Sequence, residues 1–156
     1  MRGIEFSDVK MRGQVARRRT AHFGWRYGYE SGRIAPGPPI PAPLLPLRDR
    51  AARLGGVEPE ALVEVLVTEY PPDAGIGWHL DKWMFGVVIG VSLLGPCRMR
   101  FRRISPPETW TQPLGPRSAY VLAGAVRWDW EHSIPPSRTP RYSITYRTLR
   151  DNPRGK

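Results

Sequence analysis

Beyond residue 60 the chain is patterned in short apolar or alternating runs punctuated by Pro, Gly and Asp. "ALVEVLVTEY" (61–70), "FGVVIGVSLL" (85–94), "CRMRFRR" (97–103), "SAYVLAG" (118–124) and "RYSITYRTL" (141–149) have the length and period of strands. Upstream, "RRRTAHFGWRYGYE" (17–30) reads as a strand in which Phe23, Trp25, Tyr27 and Tyr29 share one aromatic face, interleaved with Gly24, Arg26 and Gly28. Residues 33–47 carry six prolines in fifteen positions, too many for a helix interior or a central strand, so this stretch is expected to be extended and on the surface. Leu44, Leu45, Leu47, Ala51 and Leu54 then follow a helical spacing that stops at Gly55-Gly56, which predicts a helix over 44–54. Seven or eight short strands behind one or two helices point to a mostly β sandwich or jelly roll, not a parallel α/β sheet.

At 156 residues the chain is expected to form one domain, residues 1–156, with its chemistry within about 61–149. The net charge of +10 favours polyanions, and 21 of the 24 basic residues are arginines, suited to forked phosphate contacts but also common at tolerant surface positions. Arg17, Arg18 and Arg19, with Arg102 and Arg103, are candidates for a phosphate-contacting rim or for a solvated surface. Cys97, the single cysteine, excludes an intramolecular disulfide and is expected as a buried thiol on a strand. No run is long and apolar enough to span a bilayer, and residues 1–13 lack the apolar core of a signal peptide, so the expectation is a cytoplasmic monomer with no membrane partner.

Two local patterns carry chemistry. In "GWHLDKW" (77–83), His79 and Asp81 stand two apart, the spacing that aims two strand side chains at one space. His132, in "WEHSIPP", lies where a folded-back sheet could bring a third donor, and two histidines plus one carboxylate suit an Fe(II) centre with open positions. In "RYSITYR", Arg141, Ser143, Thr145 and Arg147 alternate with Tyr142, Ile144 and Tyr146, so one face points inward. If the polar face does, the arginine α-carbons lie about 20 Å apart, and side chains reaching inward by roughly 6 Å each leave a gap of about 8 Å, the length of a short dicarboxylate. If the tyrosines and isoleucine form core instead, the arginines face solvent.

"TEYPPDAGIGWHLD", "VSLLGPCRMRFRR", "WEHSIPP" and "RYSITYRTL", with "FGWRY" upstream, resemble in order and spacing the AlkB family of 2-oxoglutarate/Fe(II) dioxygenases, over about residues 20–149. The resemblance implies a double-stranded β-helix, Fe(II), 2-oxoglutarate and O2 as cofactor and cosubstrates, and His79, Asp81 and His132 as iron ligands. It implies that Tyr70 and Arg141 hold the cosubstrate, Arg141 at its distal carboxylate, with Arg147 near the iron-chelating end and Thr68 and Ser143 as further contacts. The implied reaction is hydroxylation of a C–H bond with release of succinate and carbon dioxide, and on an N-methylated base of single-stranded DNA or RNA, release of formaldehyde. Thr68 stands where the family often has asparagine, and Trp83 where a base-reading carboxylate can occur. Trp83, Trp25, Tyr27 and Tyr29 are therefore candidate substrate contacts by stacking. His22 is expected to be structural, and Trp128 and Trp130 to shield the metal. The rival readings are the same oxygenase chemistry on a small molecule or protein, and a metal-free nucleic-acid-binding module.

Overall fold

A computed structural model describes residues 1–27 and 33–151. Among the described residues eleven strands form: β1 (Ser7–Met11), β2 (Gln14–Tyr27), β3 (Ile34–Pro36), β4 (Leu62–Tyr70), β5 (Ala74–His79), β6 (Phe85–Leu93), β7 (Cys97–Arg103), β8 (Glu108–Leu114), β9 (Ser118–Leu122), β10 (Trp130–Ser137) and β11 (Arg141–Leu149). Helix α1 (Leu45–Gly55) precedes β4, and a single turn, α2 (Ala125–Trp128), precedes β10. A larger antiparallel sheet runs β1-β2-β4-β11-β6-β9, with β3 paired to β2, and a smaller one runs β5-β10-β7-β8. The two sheets make the jelly roll.

The larger sheet is buried on both faces, and each face has its own core. Across β2, β4, β6 and β11, Ala21, Val65, Val67, Ile89, Val91, Ile144 and Tyr146 meet Leu44, Ala51 and Ala52 of the α1 segment. The Tyr146 hydroxyl is kept from being a buried polar orphan by donating to the Leu44 carbonyl at 2.9 Å. Between the sheets Val88, Leu122, Met99, Phe101, Leu114 and Ile134 form the second core. This resolves the choice posed by "RYSITYR": both faces of β11 are inside, the apolar one under α1 and the polar one toward the smaller sheet.

β5, β8 and β10 were not expected as strands, because glycines (75, 77) or prolines (113, 135, 136) interrupt their patterns. β5 and β8 are edge strands, where a missing donor or side chain is tolerated, and β10 carries register shifts on either side of Ile134. In β2 the alternation breaks at Gly24, whose φ is +77° and where a Cβ would meet the Val63 carbonyl oxygen at 2.0 Å. Phe23 consequently packs in the α1 core, whereas Trp25 is 38 % exposed beside Pro36 of β3. The proline segment is extended only at β3 before winding into a 3-10 turn at Ala42–Leu44. Cys97 is half-buried at the start of β7.

Candidate active site

His132 of β10 and His79 of β5 are direct register partners, which sets their rings 4.3 Å apart. Asp81, two residues beyond the end of β5, turns back between them: its Oδ1 lies 3.3 Å from His132 Nε2 and 3.9 Å from His79 Nε2. One ligand atom from each residue falls within 4.8 Å of the others. His79 Nδ1 lies 2.8 Å from the Gly77 carbonyl, to which it donates when protonated there, leaving Nε2 with its lone pair toward Asp81. Burial, then the neighbouring His132, pulls the His79 pKa down and favours the neutral, ligating imidazole. Burial pushes the Asp81 carboxyl up, but Arg147 and His132 outweigh it and hold it well below the usual carboxylate range. The donor set, two nitrogens and an ionised carboxylate, fits Fe(II).

Asp81 divides its two oxygens. Oδ1 faces the imidazoles, and Oδ2 accepts from Arg147 Nε at 2.8 Å. Arg147 Nη1 in turn donates to Glu64 Oε2 at 2.8 Å, and Glu64 is only 3 % exposed. The turn that carries Asp81 is held from the other side by Arg127, a buried guanidinium that donates to the backbone carbonyls of Lys82, Phe85 and Gly86 at 2.7–2.9 Å.

Six residues from Arg147, Arg141 is more enclosed still, at 2 % exposure, and differently partnered. Its Nε donates to Ser92 Oγ at 2.8 Å and its guanidinium lies 5.2 Å from the Tyr70 ring centre and near Cys97, while among the described residues buried Nη1 and Nη2 have no partner of hydrogen-bond geometry. Two buried N–H donor groups without acceptors fit one carboxylate, the group at the distal end of 2-oxoglutarate. Register places Tyr70 beside Arg141 and Thr68 beside Ser143, so the hydroxyl-bearing residues expected there do lie together. The grip by two free arginines does not form, because Arg147 is engaged by two carboxylates.

A cavity of about 800 Å³ is lined by the triad, Tyr70, Thr68, Ser143 and Arg147, and also by Asp8, Lys10, Arg18, Arg26 and Lys82; Arg141 adjoins it through Tyr70 and is not itself in the lining. Trp25 and Trp83 do not line it; Trp83 is 61 % exposed on the turn after Asp81, so neither aromatic stands over the metal position. Tyr29 lies outside the described residues, as does the side chain of Tyr27. Arg102 and Arg103 are each paired, with Glu131 and Glu108, and stack on Trp78 and Trp130. They flank a separate surface dent. Trp128 is also away from the metal position, sandwiched by the Arg127 and Arg150 guanidiniums.

Three residues in the cavity wall escaped the sequence reading as site residues. Glu64 and His22 face each other, with Oε1 3.7 Å from Nδ1. Tyr120 of β9 lies flat over Gly90 of β6, where a Cβ would meet its Cζ at 2.1 Å, and burial raises its pKa. Glu64 was detectable: it repeats the face of Leu66, Thr68 and Tyr70 at period two.

A family profile described as the 2OG-Fe(II) oxygenase superfamily matches residues 3–152. Among curated proteins, the chain is 33% identical over 100 residues to "Uncharacterized protein L905" of Acanthamoeba polyphaga mimivirus, covering 55% of this chain and 48% of that protein. It is 26% identical to "Alkylated DNA repair protein ALKBH8 homolog" of Arabidopsis thaliana, covering 89% and 51%, and 36% identical to the mouse "Alpha-ketoglutarate-dependent dioxygenase alkB homolog 7, mitochondrial", covering 56% and 40%. The chain thus spans about half the length of the curated relatives it matches. Its fold is similar to that of the solved structure OsALKBH1, with a TM-score of 0.70 at 14% identity over 94% of this chain and 86% of that one. With the profile match across nearly its full length, the chain belongs to the 2OG-Fe(II) oxygenase superfamily, and within it to the AlkB family of 2-oxoglutarate/Fe(II)-dependent dioxygenases.

Proposed function

We propose that the protein is a 2-oxoglutarate- and Fe(II)-dependent dioxygenase that hydroxylates a C–H bond and removes N-alkyl groups from nucleic acid bases. The observation that carries the oxygenase reading is the pairing of a His-Asp-His cluster with a buried arginine whose two Nη atoms lack acceptors, in one jelly roll. On this reading His79, Asp81 and His132 hold Fe(II), and the Arg141 fork holds the distal carboxylate of 2-oxoglutarate beside Tyr70, with Thr68 and Ser143 along its length. Arg147 orients Asp81 and thereby serves the iron-chelating end. Iron, 2-oxoglutarate and O2 supply the oxidation when bound: one oxygen atom goes to succinate, released with carbon dioxide, and the other to the substrate C–H bond. The protein's own work is to present Nε2 of each imidazole to the metal, keep Asp81 ionised, and exclude water between two packed sheets. An N-methyl group so hydroxylated leaves as formaldehyde and frees the amine.

Nucleic acid is supported as the substrate by Lys10, Arg18, Arg26 and Lys82 in the cavity lining, which outnumber Asp8, its one acidic residue besides Asp81 and Glu64, and by a net charge of +10, which favours a phosphate backbone. Support also comes from a relative whose name refers to alkylated DNA repair. The preference for single strands follows from the need to bring a base to a recessed metal. The reading treats residues 1–156 as one catalytic domain. Its test is succinate and formaldehyde formation over a panel of methylated single-stranded oligonucleotides, with His79→Ala as the blank. Formaldehyde from wild type alone is the expected result. Succinate without formaldehyde on every oligonucleotide removes the nucleic acid substrate, and equal succinate from His79→Ala removes the metal site.

A further inference from the structure

Arg147 poses an electrostatic difficulty for the metal centre that the three ligands alone do not solve. Its guanidinium lies 2.8 Å from Asp81 Oδ2 and the residue is only 9 % exposed, where an ion pair is stronger than in bulk water. Alone, it would cancel the one formal negative charge of the ligand set, since both imidazoles ligate as neutral groups. A divalent cation would then enter a site of net charge zero, in competition with an arginine already bound to its carboxylate. Glu64 changes this balance. It is buried on β4 and accepts from Arg147 Nη1 at 2.8 Å, so the guanidinium is shared between two carboxylates. The cluster Asp81, Arg147 and Glu64 carries one net negative charge.

The position is built, not incidental. Glu64 is the register partner of Arg147 across β4 and β11, and of Gly24 across β2 and β4, so it sits in the middle of the larger sheet with its side chain in the cavity wall. A charged residue this enclosed is costly unless paired. Its other oxygen, Oε1, faces His22 Nδ1 at 3.7 Å, a weaker contact at the cavity side.

We infer that Glu64 is a positioning residue for the metal centre: by sharing Arg147 it fixes the guanidinium that turns Asp81 Oδ1 toward the imidazoles, and its carboxylate restores the net negative charge that favours a divalent cation. This rests on the assignment of His79, Asp81 and His132 as ligands. The test is titration of the apoprotein with Co(II) alone, read by Co(II) absorption and tryptophan quenching, in wild type, Glu64→Gln and Glu64→Asp, with thermal unfolding as the check on folding. Gln keeps the size and can still accept from Arg147 but loses the charge; Asp keeps the charge but is one methylene short. The charge role predicts that Glu64→Gln binds Co(II) about tenfold more weakly than wild type, the lower end for residues that orient ligands, with Glu64→Asp in between. A role in packing alone predicts the reverse order of the two variants. Affinity of Glu64→Gln within twofold of wild type, or Glu64→Asp weaker than Glu64→Gln, overturns the inference while leaving the ligand assignment intact. Wild type that takes up no Co(II) overturns the ligand assignment itself, and this inference with it.

Discussion

Arg141 and Arg147 stand on the same face of β11, both almost wholly buried, yet one is saturated and the other open. Arg147 spends Nε and Nη1 on Asp81 and Glu64; Arg141 spends Nε on Ser92 and leaves Nη1 and Nη2 without acceptors. A guanidinium satisfied by protein carboxylates belongs to the fixed structure of the site. One that is buried with an unfilled fork is arranged for a ligand that brings its own carboxylate. Identical residues on one strand are thus separated into framework and receptor by what the neighbouring strands place opposite them.

The contrast is broken most severely at Arg147. Arg147→Ala strands Glu64 as a buried charge and is expected to cost about 3–5 kcal/mol of stability, read by chemical denaturation, and to weaken metal uptake as well. A change under 1 kcal/mol would show that Arg147 is not framework. Arg141→Ala should do the opposite: little loss of stability in the absence of 2-oxoglutarate, but a KM for 2-oxoglutarate raised by about a hundredfold, as loss of a forked charged pair worth about 3 kcal/mol implies. Arg141→Lys sharpens the point, since a single ammonium keeps the charge but not the fork; its KM should lie between, about tenfold above wild type. The smallest effect is predicted at Trp83, which is exposed and outside the cavity. Trp83→Ala should move stability by less than about 0.5 kcal/mol and leave metal and cosubstrate affinity unchanged, and a hundredfold loss of turnover on oligonucleotides would return it to the substrate site.

What was legible in the chain was what two-residue periodicity within one strand can express. The His79-Asp81 spacing and the polar face of 141–147 needed only local alternation, and the helix over 44–54 appeared within a residue as α1. What was hidden depends on register between strands. That His132 falls opposite His79, or Glu64 opposite Arg147, follows from pairings closed across 53 and 83 positions of chain, which no local pattern encodes. The two-arginine grip failed for that reason: its spacing was sound, but the carboxylates claiming Arg147 come from β4 and from the turn after β5. Trp83 and Trp25 are a different case, standing outside the cavity lining. Trp83 was expected from the place of a base-reading carboxylate and Trp25 from an aromatic stripe, and neither pattern encodes that the turn after Asp81 and the break at Gly24 leave both indoles exposed.

The central claim, that Arg141 is the receptor for a distal carboxylate beside the His79-Asp81-His132 cluster, is tested most directly by carboxylate discrimination. With Mn(II) in place of iron and without oxygen, binding of 2-oxoglutarate is compared with that of 2-oxopentanoate, which lacks the distal carboxylate, in wild type and Arg141→Ala. The account predicts that wild type prefers 2-oxoglutarate by about a hundredfold and that Arg141→Ala prefers it by less than threefold; a preference that survives in Arg141→Ala would contradict it.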